Sequence, residues 1–338
     1  MLRVRCARSI LARSNPQRCF AGRLSMTSMQ RVPDLRSEIT YMKPDLFADA
    51  TDARSPAAEA LPEPEFEPPR GLPLYVGTSS WSFDDWRGTI YPAETKSSEY
   101  LSHYARKFTA VEIDMTFYRI PTRTMVEAWS QRTPARFRFA AKIPQIITHE
   151  KVLRECQAEL QQFTDVMSLL GDKLGPLLFQ FPYFSKRHFS NAQAFLDRLE
   201  PVLDRLPGGF RFAVEVRNRW WITRRLLDML RAHRVALALT DHPWMPPVQE
   251  LLRQHDLVTA DFAYIRWLGD RQAMETITQK WDRLVVDRTQ DTTMWAAVVR
   301  QLLARDLTVY GFYNNHYAGH SPGSIALFYE IWQRGRAS

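Results

Sequence analysis

From Leu74 onward the chain alternates between two hydrophobic patterns. Short β-branched or aromatic runs, such as Leu74-Tyr-Val-Gly-Thr-Ser79 and Phe262-Ala-Tyr-Ile-Arg-Trp267, have the residue types and bounded length of strands. Between them lie segments with apolar residues every three or four positions. In Glu94 to Phe108, for example, Tyr100, Leu101, Tyr104 and Phe108 fall on one helical face. The pattern predicts strands at 74–79, 110–115, 137–142, 176–181, 210–216, 235–240, 262–267 and 307–313. It predicts helices at 94–108, 123–131, 191–205, 222–233 and 322–332, one ending at Leu170 after a loop that closes on Thr148-His149, and a short one ending at Arg253. A further helical region, 272–305, is broken near Asp287 to Asp291. Eight strands alternating with helices over about 265 residues is the signature of an α/β protein of the (β/α)8, TIM-barrel type. A doubly wound open sheet is the other arrangement with this period.

Residues 1–70 follow neither pattern. The first 33 hold seven Arg and no acid, and Ser9-Ile-Leu-Ala-Arg13 is amphipathic, the composition of a mitochondrial transit peptide. The competing reading starts translation at Met26 or Met29. Residues 34–70, with four basic and nine acidic residues and a Pro- and Ala-rich second half, read as a disordered tether. The chain therefore divides into an extension, 1–70, and a single barrel domain, 71–338. Of the formal charge of +8, the extension takes +7 and −5, which leaves +6 on the barrel. A mildly basic body suits an anionic substrate or contact with nucleic acid, and equally a solvated arginine-rich surface. No run of eighteen apolar residues occurs, so no membrane span is expected. Cysteines at 6, 19 and 156 make neither a disulfide framework nor metal-ligand spacing. That favours a reducing compartment, cytoplasmic, or mitochondrial if the extension is a transit peptide.

Catalytic groups of a barrel project from the C-terminal ends of its strands. Glu112 and Glu215 each sit in an apolar run where alternation turns them away from water. A buried carboxylate needs a partner, and Arg119, Lys142, Arg217 and Arg266 are the cations at hand. Such pairs can be purely structural. They can also be chemical: Glu215 as general acid or base, Glu112 as its partner, and His149 and Asp241 assisting proton transfer. Lys142, Arg217 and Arg266 would then bind an anion, Trp81, Trp86 and Tyr118 would stack on a sugar or base, and Asn314 and Asn315 would add hydrogen bonds. The carboxylates, Asp241 and a histidine could alternatively hold a divalent ion, although no motif specifies one. There is no Gly-x-Gly-x-x-Gly after the first strand, Walker loop, His-Glu-x-x-His or Gly-x-Ser-x-Gly.

Several stretches, in order, resemble the YecE-like family, known as domain of unknown function seventy-two. They are Gly77-Thr-Ser-Ser-Trp81, Trp86-Arg-Gly, Tyr91-Pro92, Val111-Glu-Ile-Asp-Met-Thr-Phe-Tyr118, Phe139-Ala-Ala-Lys142 and Ile147-Thr-His149. Lys173 to Pro182, Ala213-Val-Glu-Val-Arg217, Asp241, Tyr264-Ile-Arg266 and Asn314-Asn315 complete the match over about residues 74–334. The resemblance implies a TIM-type barrel and no established reaction. The family usually has Asn where this chain has Asp114 and His where it has Asn218, and often His in place of Leu268. An essential histidine at the last two positions is thereby excluded here. The expectation is an enzyme, hydrolase or isomerase in type, acting on a small polar anion such as a sugar phosphate or nucleotide fragment. The alternative is a non-catalytic nucleic-acid-associated module using the basic rim and tryptophans.

Overall fold

A computed structural model describes residues 71–335; the extension read above as a transit peptide or misassigned start lies outside the described residues. Eight parallel strands close in sequential order: β1 (Leu74–Ser79), β2 (Ala110–Ile113), β3 (Arg138–Lys142), β4 (Leu174–Gln180), β5 (Phe212–Glu215), β6 (Ala236–Asp241), β7 (Phe262–Trp267) and β8 (Thr308–Tyr313). β8 pairs back onto β1 over five residues, from Leu74 opposite Val309 to Thr78 opposite Tyr313, which makes the sheet a closed barrel rather than an open one.

The helices are α1 (Tyr100–Lys107), α2 (Arg123–Gln131), α3 (Gln157–Met167), α4 (Ala192–Leu203), α5 (Arg224–Ala232), α6 (Val248–Gln254), α7 (Arg271–Ile277), α8 (Thr289–Leu303) and α9 (Ser321–Arg334). Polar caps fix several starts: Thr122, Asn191, Thr223 and Asp270 each accept from a backbone N–H in the first turn of α2, α4, α5 and α7. The break predicted near 287–291 is longer and earlier, with no helix over 278–288. After β3 the chain makes a π-type turn, Ile146–Glu150, before α3 begins at Gln157. No helix among the described residues is long and apolar enough to cross a membrane.

Two hydrophobic layers result from the strand period of two. Outward residues such as Val111, Phe139, Leu177, Val214, Leu239 and Ile265 join the helices in the main core. Gly311 belongs to this side: a Cβ there would lie 2.6 Å from the Trp267 ring, so only glycine lets Trp267 cross β8 and stack on Tyr313 at 4.0 Å.

Inward residues form a separate cluster with uneven volumes. β2, β3, β5 and β6 contribute Ala110, Ala140, Ala213, Ala236 and Ala238, whereas β7 and β8 contribute Phe262, Tyr264, Tyr310 and Phe312. Bulk thus enters from one side of the barrel and is received by alanines on the other, which keeps the interior filled. The same asymmetry lets a long side chain from β7 reach across it.

Candidate active site

That side chain is Arg266, two residues after Tyr264 and therefore inward like it. Its guanidinium spans to β2 and β5. Nε and Nη2 donate to Glu112 Oε2 and Oε1, each at 2.8 Å, and Nη1 donates to Glu215 Oε2 at 2.6 Å. Glu112 also accepts from Ser79 Oγ at 3.0 Å and Tyr264 OH at 2.7 Å. Glu215 Oε1 accepts from Arg217 Nε at 2.5 Å. Glu112 and Glu215 are 0% exposed and Arg266 1%, so this clamp is sealed from water.

The paired carboxylates expected from the sequence therefore do meet, but through an arginine rather than a substrate. Burial pushes the Glu215 carboxyl up, but the Arg217 and Arg266 guanidiniums overcome it and hold it at about 2. A carboxylate that acidic, with both oxygens occupied, is a poor proton shuttle near neutral pH. In this arrangement Glu215 and Glu112 anchor the guanidiniums of Arg266 and Arg217. Arg266, with Nε, Nη1 and Nη2 all donating to these carboxylates, holds the clamp together.

Above the clamp the mouth is more open. Arg217 follows β5, and its Nε–H is held by Glu215. Lys142 ends β3, where it pairs with Asp114 and lies 5.7 Å over the Phe117 ring. Phe117 in turn meets the His149 ring edge-on at 4.9 Å. His149 is carried by the π-type turn, its Nδ1 2.8 Å from Thr148 Oγ1, and its Nε2 is buried without a hydrogen-bond partner among the described residues. Burial, then the charges of Lys142 and Arg217, lower the His149 pKa to about 4, so the imidazole is neutral at pH 7. His242, after β6, is lowered to about 3 by burial and the Arg217 charge, with Glu215 opposing.

Across the mouth, His316 Nδ1 faces Asn314 Oδ1 at 2.6 Å and its Nε2 faces Glu275 Oε1 at 3.2 Å. Burial lowers its pKa too, but here Glu275 and Asp114 pull upward. Alternation and strand position pointed to most of the clamp. Ser79 and Tyr264, which complete it, carry the same inward parity and could have been read that way. Glu275 lies on a helix, where nothing in the local sequence flags it.

Other expected residues fall elsewhere. Asp241 has the outward parity of Leu237 and Leu239, and its Oδ2 accepts from Trp295 Nε1 of α8 at 2.7 Å. It buttresses a helix and does not join His149 or the clamp. Trp86 is 0% exposed, packed among Phe83, Tyr91, Tyr104 and His320, and offers no stacking face. Asn315 is buried as well, its Oδ1 accepting from Ser321 N and Oγ at the start of α9. Asn314 Oδ1 accepts from the His316 backbone N–H at 3.0 Å. Trp81 is half-buried, edge-on to Trp129 at 5.9 Å, and Tyr118 is half-buried beside Phe117. Among the described residues no three His, Cys, Asp or Glu side chains are grouped to hold a metal ion. With the oxygens of Glu112 and Glu215 taken by protein donors, this set does not make a divalent-cation site.

The chain is similar to several known proteins. UPF0759 protein YecE of Escherichia coli strain K12 is 29% identical over 241 residues, covering 65% of this chain and 84% of that protein. UPF0759 protein YunF of Bacillus subtilis strain 168 is 28% identical over 180 residues, 50% of this chain and 61% of that one. The crystal structure of a DUF72 family protein from Thermotoga maritima MSB8 superposes with a TM-score of 0.62 at 27% identity, covering 77% of this chain and 99% of that one. The family model described as "Protein of unknown function DUF72" matches residues 75–338, and the chain belongs to that family.

Proposed function

We propose that the barrel is an enzyme acting by acid–base chemistry on a small polar anion, in the class of a sugar phosphate or nucleotide fragment. The observation that carries this reading is the graded arrangement of charge. Carboxylates at the barrel axis hold Arg266 and Arg217 in place, and the shallower Arg217 and Lys142 impose a positive field on His149. Preorganised cations of this kind bind an anionic group without first reorganising. The anion sits against Arg217 and Lys142. His149, neutral and oriented by Thr148, takes a proton through Nε2 when its Nδ1–H donates to Thr148 Oγ1. The bound anion offsets the Lys142 and Arg217 charges that hold the His149 pKa down, and this raises its basicity when the substrate is in place.

The test is a thermal-shift panel of sugar phosphates and nucleoside monophosphates on the full chain, followed by product analysis for any hit. A ligand at a hundredfold excess over its dissociation constant adds roughly 2.7 kcal/mol to folded-state stability. The expected result is a shift lost in Arg217→Met and kept in His149→Gln, with turnover lost in both. A ligand that shifts Arg217→Met as it shifts the wild type overturns the assignment, as does unchanged turnover by His149→Gln.

A further inference from the structure

The rim around the mouth is chemically divided. The loops after β4, β5 and β6, residues 181–191, 216–223 and 242–247, contain no Asp or Glu. They carry the exposed cations Lys186, Arg187 and Arg219. Elsewhere around the rim lie Asp84 and Asp85 after β1, Asp114 after β2 and Asp270 after β7. Large exposed aromatics follow the same division. Among the described residues Tyr183, Trp220 and Trp244 are 41%, 79% and 38% exposed, and they lie on those same three acid-free loops.

These rings stand on a firm base. Asn218 links two of the loops, accepting from Phe184 N at 2.9 Å and donating to Phe184 O at 2.8 Å. Directly beside Trp220, Trp221 is buried and stacked on Phe195 at 4.7 Å. Arg219 lies over the Trp220 ring at 5.0 Å, and Trp244 is held edge-on to His242 at 5.0 Å. Folding does not explain an indole left 79% exposed on a fixed loop, since that apolar surface gains nothing from water.

We infer that this arc binds single-stranded nucleic acid, with bases stacking on Trp220, Trp244 and Tyr183 and phosphates contacting Lys186, Arg187 and Arg219. Flat exposed rings interleaved with cations and free of acid match a polyanion whose repeating unit has a π-face. A neutral glycan would use the rings but has no need of the cations, and charge complementarity therefore decides between the two occupants. The arc shares no residue with the anion site at the mouth and stands independently of the proposed chemistry.

The experiment is fluorescence anisotropy of a labelled twelve-nucleotide oligo-dT with the full chain, between about 25 and 250 mM NaCl. Three phosphate contacts would give a log–log salt slope near −2, at roughly −0.7 per contact. Trp220→Ala, at an exposed position, should keep the wild-type melting midpoint and weaken binding by about fivefold or more. Its affinity for heparin, a polyanion without bases, should stay unchanged. Arg219→Met should reduce the slope by about 0.7. Because the arginine-rich residues 1–33 would add base-independent affinity, the Trp220→Ala comparison is decisive. Equal oligo-dT binding by Trp220→Ala and wild type overturns the inference, as does no anisotropy change at 25 mM salt. Quenching of tryptophan fluorescence by a neutral hexasaccharide at lower concentration than by oligo-dT overturns it in favour of a glycan surface.

Discussion

Arg266 and Arg219 carry the same charge on neighbouring parts of one barrel and have opposite surroundings. Arg266 is 1% exposed, with Nε, Nη1 and Nη2 all committed to Glu112 and Glu215. Arg219 is exposed on the rim and lies over the ring of Trp220. At the barrel axis a charge is tolerated only when it is matched by opposite charge and hydrogen bonds, and such matching ties it to its protein partners. At the rim water solvates the charge, so it needs no partner inside the fold and is available to a visitor. Arg217 and Lys142 lie between these extremes, each anchored on a carboxylate, with side chains 9% and 13% exposed.

The largest effect that would break this comparison is on folding stability. Arg266→Met leaves buried Glu112 without a cation and Glu215 with Arg217 alone, and the expected cost is roughly 3–5 kcal/mol. Urea unfolding of that variant beside Arg219→Met, expected within about 0.5 kcal/mol of wild type, measures the contrast directly. Similar losses in both would mean that depth does not separate the two arginines.

Next comes acid sensitivity. Glu215 is held at about 2 in the folded chain against an unfolded value of 4.5. Its lowered folded value stabilises the fold above pH 4.5, and that contribution is lost as pH falls from 4.5 towards 2, on the order of 3 kcal/mol. His149, lowered from 6.5 to about 4, acts in an earlier window. The unfolded chain binds the proton first, so stability drops as pH falls from 6.5 towards 4. Glu215→Gln should therefore flatten the lower limb of a stability–pH curve and His149→Gln part of the upper one. A Glu215→Gln curve parallel to wild type below pH 4.5 would contradict the clamp electrostatics.

A smaller change sharpens the picture at the mouth. Asp114→Asn, the residue that the family usually carries there, removes the negative charge beside Lys142. At a partly exposed site with an effective dielectric near 20 this is worth about 1 kcal/mol after screening, so anion affinity should rise roughly fivefold. Isothermal titration with a ligand from the thermal-shift panel gives the number, and weaker binding by the variant would reverse the assigned polarity. Smallest of all, Trp220→Ala should change unfolding stability by less than about 0.5 kcal/mol. A larger loss would make that indole part of the fold.

Much of the architecture was legible in the residues alone. Alternation located eight strands to within a few positions, β7 to the residue, and the inward parity of Glu112, Glu215 and Arg266 follows from the period of two. The same rule, applied strictly to β6, would have turned Asp241 outward with Leu237 and Leu239. Reading it as a strand-end group placed it in the wrong layer. The tryptophans were not separable in this way. Trp86 and Trp220 both sit in short helical turns after strands, yet one is 0% and the other 79% exposed.

What the sequence determined by itself is what local periodicity and composition can carry: strands, helices, the α/β class and the inward carboxylates. Only the tertiary structure decided what those carboxylates do. Arg266 lies 154 residues from Glu112 and 51 from Glu215 in the chain, and it reaches both because bulky β7 and β8 side chains face alanines across the barrel. Closure put the three within hydrogen-bonding distance, and in a dry interior such charges persist only as matched partners.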